Sequence, residues 1–588
     1  MKSFFLCLFS ILLFVGCKNN PKDYRANWVT VRLPAEPDRL NPILSTSGYA
    51  SQVESHIFLP LLNFDPESFE LTPTLASSRP TIEKITEGEF KGGFAYTFEI
   101  HEEATWDDGK PVLADDYIFT MKSILHPKVE SPAYRAYFNF LKDILVDADN
   151  SKKFTVYTTA PYILAEAALG NIAVYPEHLY DREGIMKKVS IKTLIKQDSA
   201  VILVENDSLL IKFADSFNSS EYSHDKGLIN GCGAYEFGEW ITGEQIVLNR
   251  KSNWWGDKVK DKNSILNAFP DKIIFKPVPD GATAITLLKS KDIDAMGSIP
   301  AESFVELLDN DLVNESYTLQ TPPYLAYYYI GLNPNTPKLE DKNTRRAIAH
   351  ALDIDAVIQS VMRGLAQRVI GPIHPTKPYY SKTLEPIPFD LEKAKALLLK
   401  AGWEDTDGSG WVDKTIDGQK IEMELTYKFS SGNDVAKNIG LLLKENAKKV
   451  GVKIELIAKG FSELVADTRK RDFDLYYLAW SNPPTLDDLR QTWHTQSDTP
   501  KGSNKVSFGN AKSDAIIDSI RIEMDEKKRN ELYLEIQEMI YKEQPYIFLF
   551  TPKERIAIHK RFEAETSARR PGFFENQFKL IESESAGY

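Results

Sequence analysis

Tyr96-Thr97-Phe98-Glu99-Ile100, then Ala114-Asp115-Asp116-Tyr117-Ile118-Phe119-Thr120-Met121, then Phe154-Thr155-Val156-Tyr157 decide the class of the fold. The first and third alternate with the two-residue period of a strand. The second carries two carboxylates where a helix has its positive end, so it reads as a helix start. The same interleaving continues outward. Trp28-Val29-Thr30-Val31-Arg32-Leu33 reads as an opening strand, ended by Pro34, Pro37 and Pro42. Asp353 is placed to cap a helix whose Ile354, Val357, Ile358, Val361 and Met362 fall on one face, with Gly364 as its stop. Asp390 caps another, with Leu391, Ala394, Leu397, Leu398 and Ala401 on one face and Gly402 behind it. Val452–Ile457 and Phe473–Trp480 read as strands. Leu532, Ile536, Met539 and Ile540 form a helix face, and Pro545–Phe550 is a buried strand. Strands and helices alternate throughout, so the class is α/β. Residues 181–229, rich in charge and serine, read as loop with small elements.

The start of the chain is a different kind of signal. Lys2 precedes an apolar run from Phe4 to Val15, and Gly16-Cys17 is followed by polar Lys18-Asn19-Asn20. This reads as an export signal over 1–17 ending in a lipobox, with Cys17 the lipid-bearing first residue of the mature chain and 18–27 a tether. The run is shorter than the about 20 residues that span a bilayer. The expected location is therefore the cell envelope, lipid-anchored and facing the periplasm or the cell exterior. Of the three cysteines, Cys7 leaves with the signal and Cys17 is acylated, so Cys232 has no partner for a disulfide. A net charge of −13 argues against nucleic acid, which requires a basic face. The 26 tyrosines and 9 tryptophans suit an aromatic-lined pocket or groove.

Catalytic patterns are missing. No Gly-x-Ser-x-Gly elbow, phosphate loop, His-Glu-x-x-His or Cys-x-x-Cys occurs, and the nine histidines are scattered. His350 reads as a structural histidine and Asp107-Asp108-Gly109 as a turn. No cofactor and no enzymatic activity are expected. Asp405, Asp407, Ser409 and Asp413 stand at positions 1, 3, 5 and 9 of a calcium-type loop with Gly410 at position 6. Position 12 is Ile416 instead of the bidentate glutamate, so a plain turn is the simpler reading and calcium the weaker one.

Several segments in order resemble one family. They are Glu36-Pro37-Asp38-Arg39-Leu40-Asn41-Pro42, Pro73-Thr74-Leu75-Ala76, Thr105-Trp106-Asp107-Asp108-Gly109-Lys110-Pro111 with Ala114–Phe119, and Gly231-Cys232-Gly233-Ala234-Tyr235. Trp254-Trp255-Gly256, Tyr329-Ile330-Gly331-Leu332-Asn333, Arg345-Arg346-Ala347-Ile348, Gly371-Pro372-Ile373-His374-Pro375 and Ala401-Gly402-Trp403 continue the series. Together they resemble the peptide/nickel-type, family 5 extracytoplasmic solute-binding proteins of ATP-binding-cassette importers. The resemblance implies a two-lobed, type II periplasmic-binding-protein fold of the large three-domain variant, hinged between the lobes. It puts lobe I at 28–57, 228–290 and 541–588, a small accessory domain at 58–227, and lobe II at 291–540. It implies a monomer that captures a peptide-like solute and hands it to permease and ATPase subunits. An oligosaccharide or other non-peptide ligand stays open, as does, more remotely, a secreted lipoprotein hydrolase. The sparse histidines argue against nickel or haem.

The resemblance also places the ligand. Extended backbone at Ala35-Glu36-Pro37 and Ala479-Trp480-Ser481-Asn482 would pair with it, as added strands do. The residues expected against the ligand are Glu36, Asn230, Cys232, Tyr329, Trp480, Ser481, Asn482, Pro483 and Thr485. The family's peptide binders carry an aspartate three residues after this tryptophan to hold the ligand's α-amine. Here that place is Pro483. A grip on a free amine in that manner is not expected, and Asp487 and Asp488 read as first-turn helix residues.

Overall fold

The computed structural model describes residues 26–260, 263–500 and 502–581. The export signal, Cys17 and most of the tether lie outside them. Two large sheets organise the chain. The first runs Tyr317–Gln320, Ile556–His559, Ala295–Met296, Trp28–Leu33, Lys272–Pro277, Gln245–Arg250, Tyr235–Ile241. The opening strand is its centre, parallel to Lys272–Pro277 on one side and to Ala295–Met296 on the other. Val29, Val31 and Leu33 are fully buried, and the polar Thr30 and Arg32 between them are buried as well. Their needs are met locally. Thr30 N–H donates to Asp294 (2.8 Å) and Arg32 Nε to the Val278 carbonyl (2.9 Å). Burial on both faces is what a parallel strand requires.

The second sheet runs Ala366–Arg368, Tyr546–Pro552, Ala326–Leu332, Leu475–Ser481, Glu424–Ser430, Lys453–Lys459. Helices cover both faces. One side packs the helices Lys342–His350, Ile354–Ser360, Leu391–Lys400 and Asp434–Lys448, and the other packs Ala511–Ile522 and Glu526–Glu543. Asp353 and Asp390 cap as their sequence predicts, accepting the N–H of Ala356 and of Lys393. A third, four-stranded sheet, Thr81–Lys84, Phe94–Glu99, Lys153–Thr158, Leu141–Val146, belongs to an accessory domain. Its core is continuous with that of the first lobe: Phe98, Tyr117 and Phe154 belong to the same buried cluster as Val29 and Phe275.

The sheets divide the chain differently from the boundaries expected at 291 and 541. Ala295–Met296 and Tyr317–Gln320 pair in the first sheet, and Tyr546–Pro552 in the second. The chain therefore crosses between lobes at 321–325 and returns at 553–555. The two crossings are antiparallel neighbours: Pro323 bridges Lys553, Tyr324 N–H donates to the Pro552 carbonyl and Glu554 N–H to the Pro322 carbonyl. Residues 181–229 also differ from expectation. They hold the helices Ile191–Ile195, Gln197–Glu205, Ser208–Phe217 and Glu221–His224. No helix among the described residues is long and apolar enough to cross a membrane.

Candidate functional site

Open α/β sheets bind ligands outside the carboxyl ends of their parallel strands. In the first lobe those ends are Leu33, Pro277 and, just beyond Met296, Ser298. In the second they are Ser430, Lys459 and Ser481, the ends of three strands parallel to one another. Between the lobes, against the two crossings, lies a cavity of about 230 Å³. Ser298 comes from the first lobe, Tyr324 and Glu554 from the crossings, and Tyr328, Asn433, Tyr477 and Phe550 from the second lobe.

The residues expected against the ligand fall into three groups. Trp480, Ser481, Pro483 and Thr485 keep part of their surface at the end of the Leu475–Ser481 strand. Trp480 is half-buried, its Nε1 3.5 Å from the Tyr546 hydroxyl, and Ser481 pairs with Ala326 beside the crossing. A second group has side-chain polar atoms bonded to the protein, although the buried Oδ1 of Asn230 and of Asn482 has no partner among the described residues. Glu36 Oε1 accepts from Trp240 Nε1 (2.7 Å) and from Gly243 N–H (2.9 Å), which ties the chain after the opening strand to the neighbouring hairpin. Asn482 is buried, donating to the Pro372 carbonyl (2.9 Å), and Asn230 donates to Asp107 (2.9 Å).

The third group is core. Tyr329 is 0 % exposed and stacks on Tyr546 at 3.9 Å between centroids. Cys232 is also 0 % exposed; its carbonyl accepts from Trp254 and Trp255, and burial pushes its thiol up to about 12. Neither side chain reaches a cleft. Both sit on positions whose neighbours are aromatic, and aromatic packing consumed them.

Pro483 stands in a loop held by a residue that sequence reasoning missed. The buried Lys377 ammonium donates to the carbonyls of Pro483 (2.8 Å), Pro484 (2.9 Å) and Thr485. Asp487 is buried beneath it and accepts from the Tyr379 hydroxyl (2.8 Å); burial raises its carboxyl above the ordinary range. Asp488 accepts from Arg521 Nε (3.0 Å) and from the Tyr162 hydroxyl (3.1 Å). Both aspartates are thus bonded to protein partners. The Tyr162 contact has a wider meaning, because Tyr162 belongs to the accessory domain. Ile163 N–H also donates to the Arg521 carbonyl (2.9 Å), and the Arg521 guanidinium lies over the Tyr162 ring at 5.1 Å. The accessory domain thus touches the second lobe away from the crossings.

The calcium-type loop gathers Asp405, Asp407 and Asp413 with oxygens within 4.8 Å of one another. Lys420 Nζ lies among them, 2.7 Å from Asp407 and 3.1 Å from Asp413. Ser409 N–H donates to Asp405 and Asp407, closing a turn with Gly408 and Gly410 at positive φ. The Lys420 ammonium pairs with two of the three carboxylates, which fits the turn reading. His350 is buried with Nδ1 2.8 Å from the Pro388 carbonyl, a structural histidine.

The chain resembles proteins of known name over nearly its whole length. It is 27% identical over 535 residues to the oligopeptide-binding protein AppA of Bacillus subtilis, covering 90% of this chain and 87% of that protein. The structure of that AppA in complex with a nonapeptide superposes with a TM-score of 0.67 at 24% identity, over 94% of this chain and 99% of the other. NikA from Brucella suis in complex with Fe(III)-EDTA superposes with a TM-score of 0.74 at 19% identity, over 94% of this chain and 100% of the other. The model of the bacterial extracellular solute-binding proteins, family 5 (middle), matches residues 70–503. With two lobes, two crossings and an accessory domain on the first lobe, the chain belongs to the family 5 bacterial extracellular solute-binding proteins and is not an enzyme.

Proposed function

We propose that the protein is lipid-anchored through Cys17, captures a peptide-like solute between its lobes as a monomer, and delivers it to the permease and ATPase subunits of an ATP-binding-cassette importer. The observation that carries this reading is the cavity against the two crossings, lined by Ser298 of the first lobe, by Tyr324 and Glu554 of the crossings and by Tyr328, Asn433 and Tyr477 of the second lobe. A ligand touching both lobes favours the closed arrangement by its differential affinity alone. Small-angle scattering should show a smaller radius of gyration with solute than without, and mass spectrometry of the purified protein should find a solute retained. Conversion of that solute by the protein would overturn the reading. Anchoring has its own check: labelled palmitate should enter the wild type and not Cys17→Ser.

A second reading, an oligosaccharide or other non-peptide solute, is favoured by one feature. Pro483 offers neither a carboxylate nor an N–H, and Asp487 and Asp488 are occupied by protein partners.

A further inference from the structure

We propose that the cavity at the crossings is a subsite for a cationic group of the solute, an ammonium or guanidinium, with Glu554 as its counter-charge and the half-buried Tyr328 ring as its wall, backed by the buried Tyr477 and Phe550. This rests on the reading of the protein as a binder of peptide-like solutes. Glu554 is 8 % exposed and sits on the return crossing, so its carboxylate lies between the lobes. One oxygen is fixed: Oε1 accepts the N–H of Ser298 (3.0 Å) and of Arg555 (2.9 Å). Oε2 has no hydrogen-bond donor among the described residues. A carboxylate pinned by two backbone N–H groups with one oxygen left over is a pre-organised acceptor.

The walls fit the same ligand chemistry. Tyr328 lies 5.8 Å from Tyr477 and 5.5 Å from Phe550 between ring centroids, and aromatic faces attract cations. Tyr477 is 3 % exposed and its buried hydroxyl has no partner, so this wall holds a second polar group that the protein leaves unmatched. Burial raises the Glu554 carboxyl, while the two N–H bonds and the nearby Arg555 charge lower it; a solute cation would act in the same direction as Arg555. Two positive groups share the site. Arg555 directs Nε to the Ile299 carbonyl and Nη1 to the Lys553 carbonyl (2.9 Å), and Lys553 is exposed at the rim. They oppose a cation, so a neutral comparator is essential.

The test is calorimetry with acetyl-Ala-Ala-Ala-Ala, acetyl-Ala-Lys-Ala-Ala and Ala-Ala-Ala-Ala with a free amine, against the wild type and Glu554→Gln. Glutamine keeps an oxygen for the Ser298 and Arg555 N–H groups, so the variant should fold. The wild type should bind at least one cation-bearing peptide about 10-fold or more tighter than the neutral one, and Glu554→Gln should cut that preference below about 3-fold without weakening the neutral peptide. The two cationic arms tell a side chain from a terminus. No preference in the wild type, a preference for the neutral peptide, or one undiminished in Glu554→Gln overturns the proposal. If no peptide binds, the peptide reading falls, and saturation-transfer NMR with n-butylammonium alone decides the subsite. Transfer lost in Glu554→Gln supports it; no transfer to the wild type, or transfer undiminished in Glu554→Gln, overturns it.

Discussion

At the scale of single residues, Trp480 shows itself in the sequence and Glu54 does not. Trp480 was legible: it ends a strand before a proline-rich loop, and the structure leaves it half-buried there. If its free face packs on solute, Trp480→Ala should weaken binding by about 10- to 1000-fold while the protein still folds; unchanged affinity by calorimetry would assign it to the core. Tyr329 and Cys232 lie in the core and not against a cleft, because a motif gives position in the chain and not side-chain direction. Alternation puts Tyr329 beneath the sheet, against Tyr546. Glu54 gave no signal in sequence. It is 3 % exposed, Oε2 accepts from the Ser45 hydroxyl (2.9 Å), and Oε1 is buried without a partner. Burial pushes its carboxyl up to about 8. A raised carboxyl favours the fold while protonated, so its contribution is full below the ordinary glutamate value and is lost as pH rises through about 8. The loss is on the order of a few kcal/mol. Urea midpoints of the wild type should fall between pH 5 and pH 9, and those of Glu54→Gln should fall much less; equal slopes would refute the assignment.

At the scale of elements, helices and strands with strong periodicity were readable and the loops that shape the site were not. Even the poorly read segment 181–229 contained a visible helix: Leu210, Phe213, Ala214 and Phe217 are buried at helical spacing after Asp207, which accepts from the N–H groups of Leu209 and Leu210. Its surrounding charge obscured the period. The loop after Trp480 could not be read, because its support comes from a segment over a hundred residues earlier. Asn482 donates to Pro372, and Lys377 holds Pro483, Pro484 and Thr485. Replacing Lys377 leaves three carbonyls without their donor, and such a loss costs about 1–3 kcal/mol for a buried group. Lys377→Met should lower the unfolding midpoint and speed hydrogen exchange across the 482–488 loop. Exchange unchanged in that loop would show that the ammonium is not what holds it.

At the scale of the whole molecule, the order of motifs made the two-lobed fold legible, while the points where the chain changes lobes were not. Short strands such as Ala295–Met296 carry too little pattern to be assigned to a sheet, and sheet membership is what moves the crossings to 321–325 and 553–555. The crossings join the lobes along one edge. The contact of Tyr162 and Ile163 with Asp488 and Arg521 joins them elsewhere, through the accessory domain. It uses no solute, so it biases the lobes towards this arrangement whether or not a solute is bound. A hydroxyl–carboxylate bond and a ring under a guanidinium are worth about 1–3 kcal/mol together. Tyr162→Ala removes both and leaves the Asp488–Arg521 pair inside the second lobe intact. Solute should then dissociate about 5- to 100-fold faster. The solute-free protein should scatter with a larger radius of gyration, and thermal stability should change little, because Tyr162 lies only partly buried at the domain surface. Dissociation within two-fold of wild type, read by stopped flow, would mean that the lobes are held by the solute and the crossings alone, with the accessory domain a passenger on the first lobe.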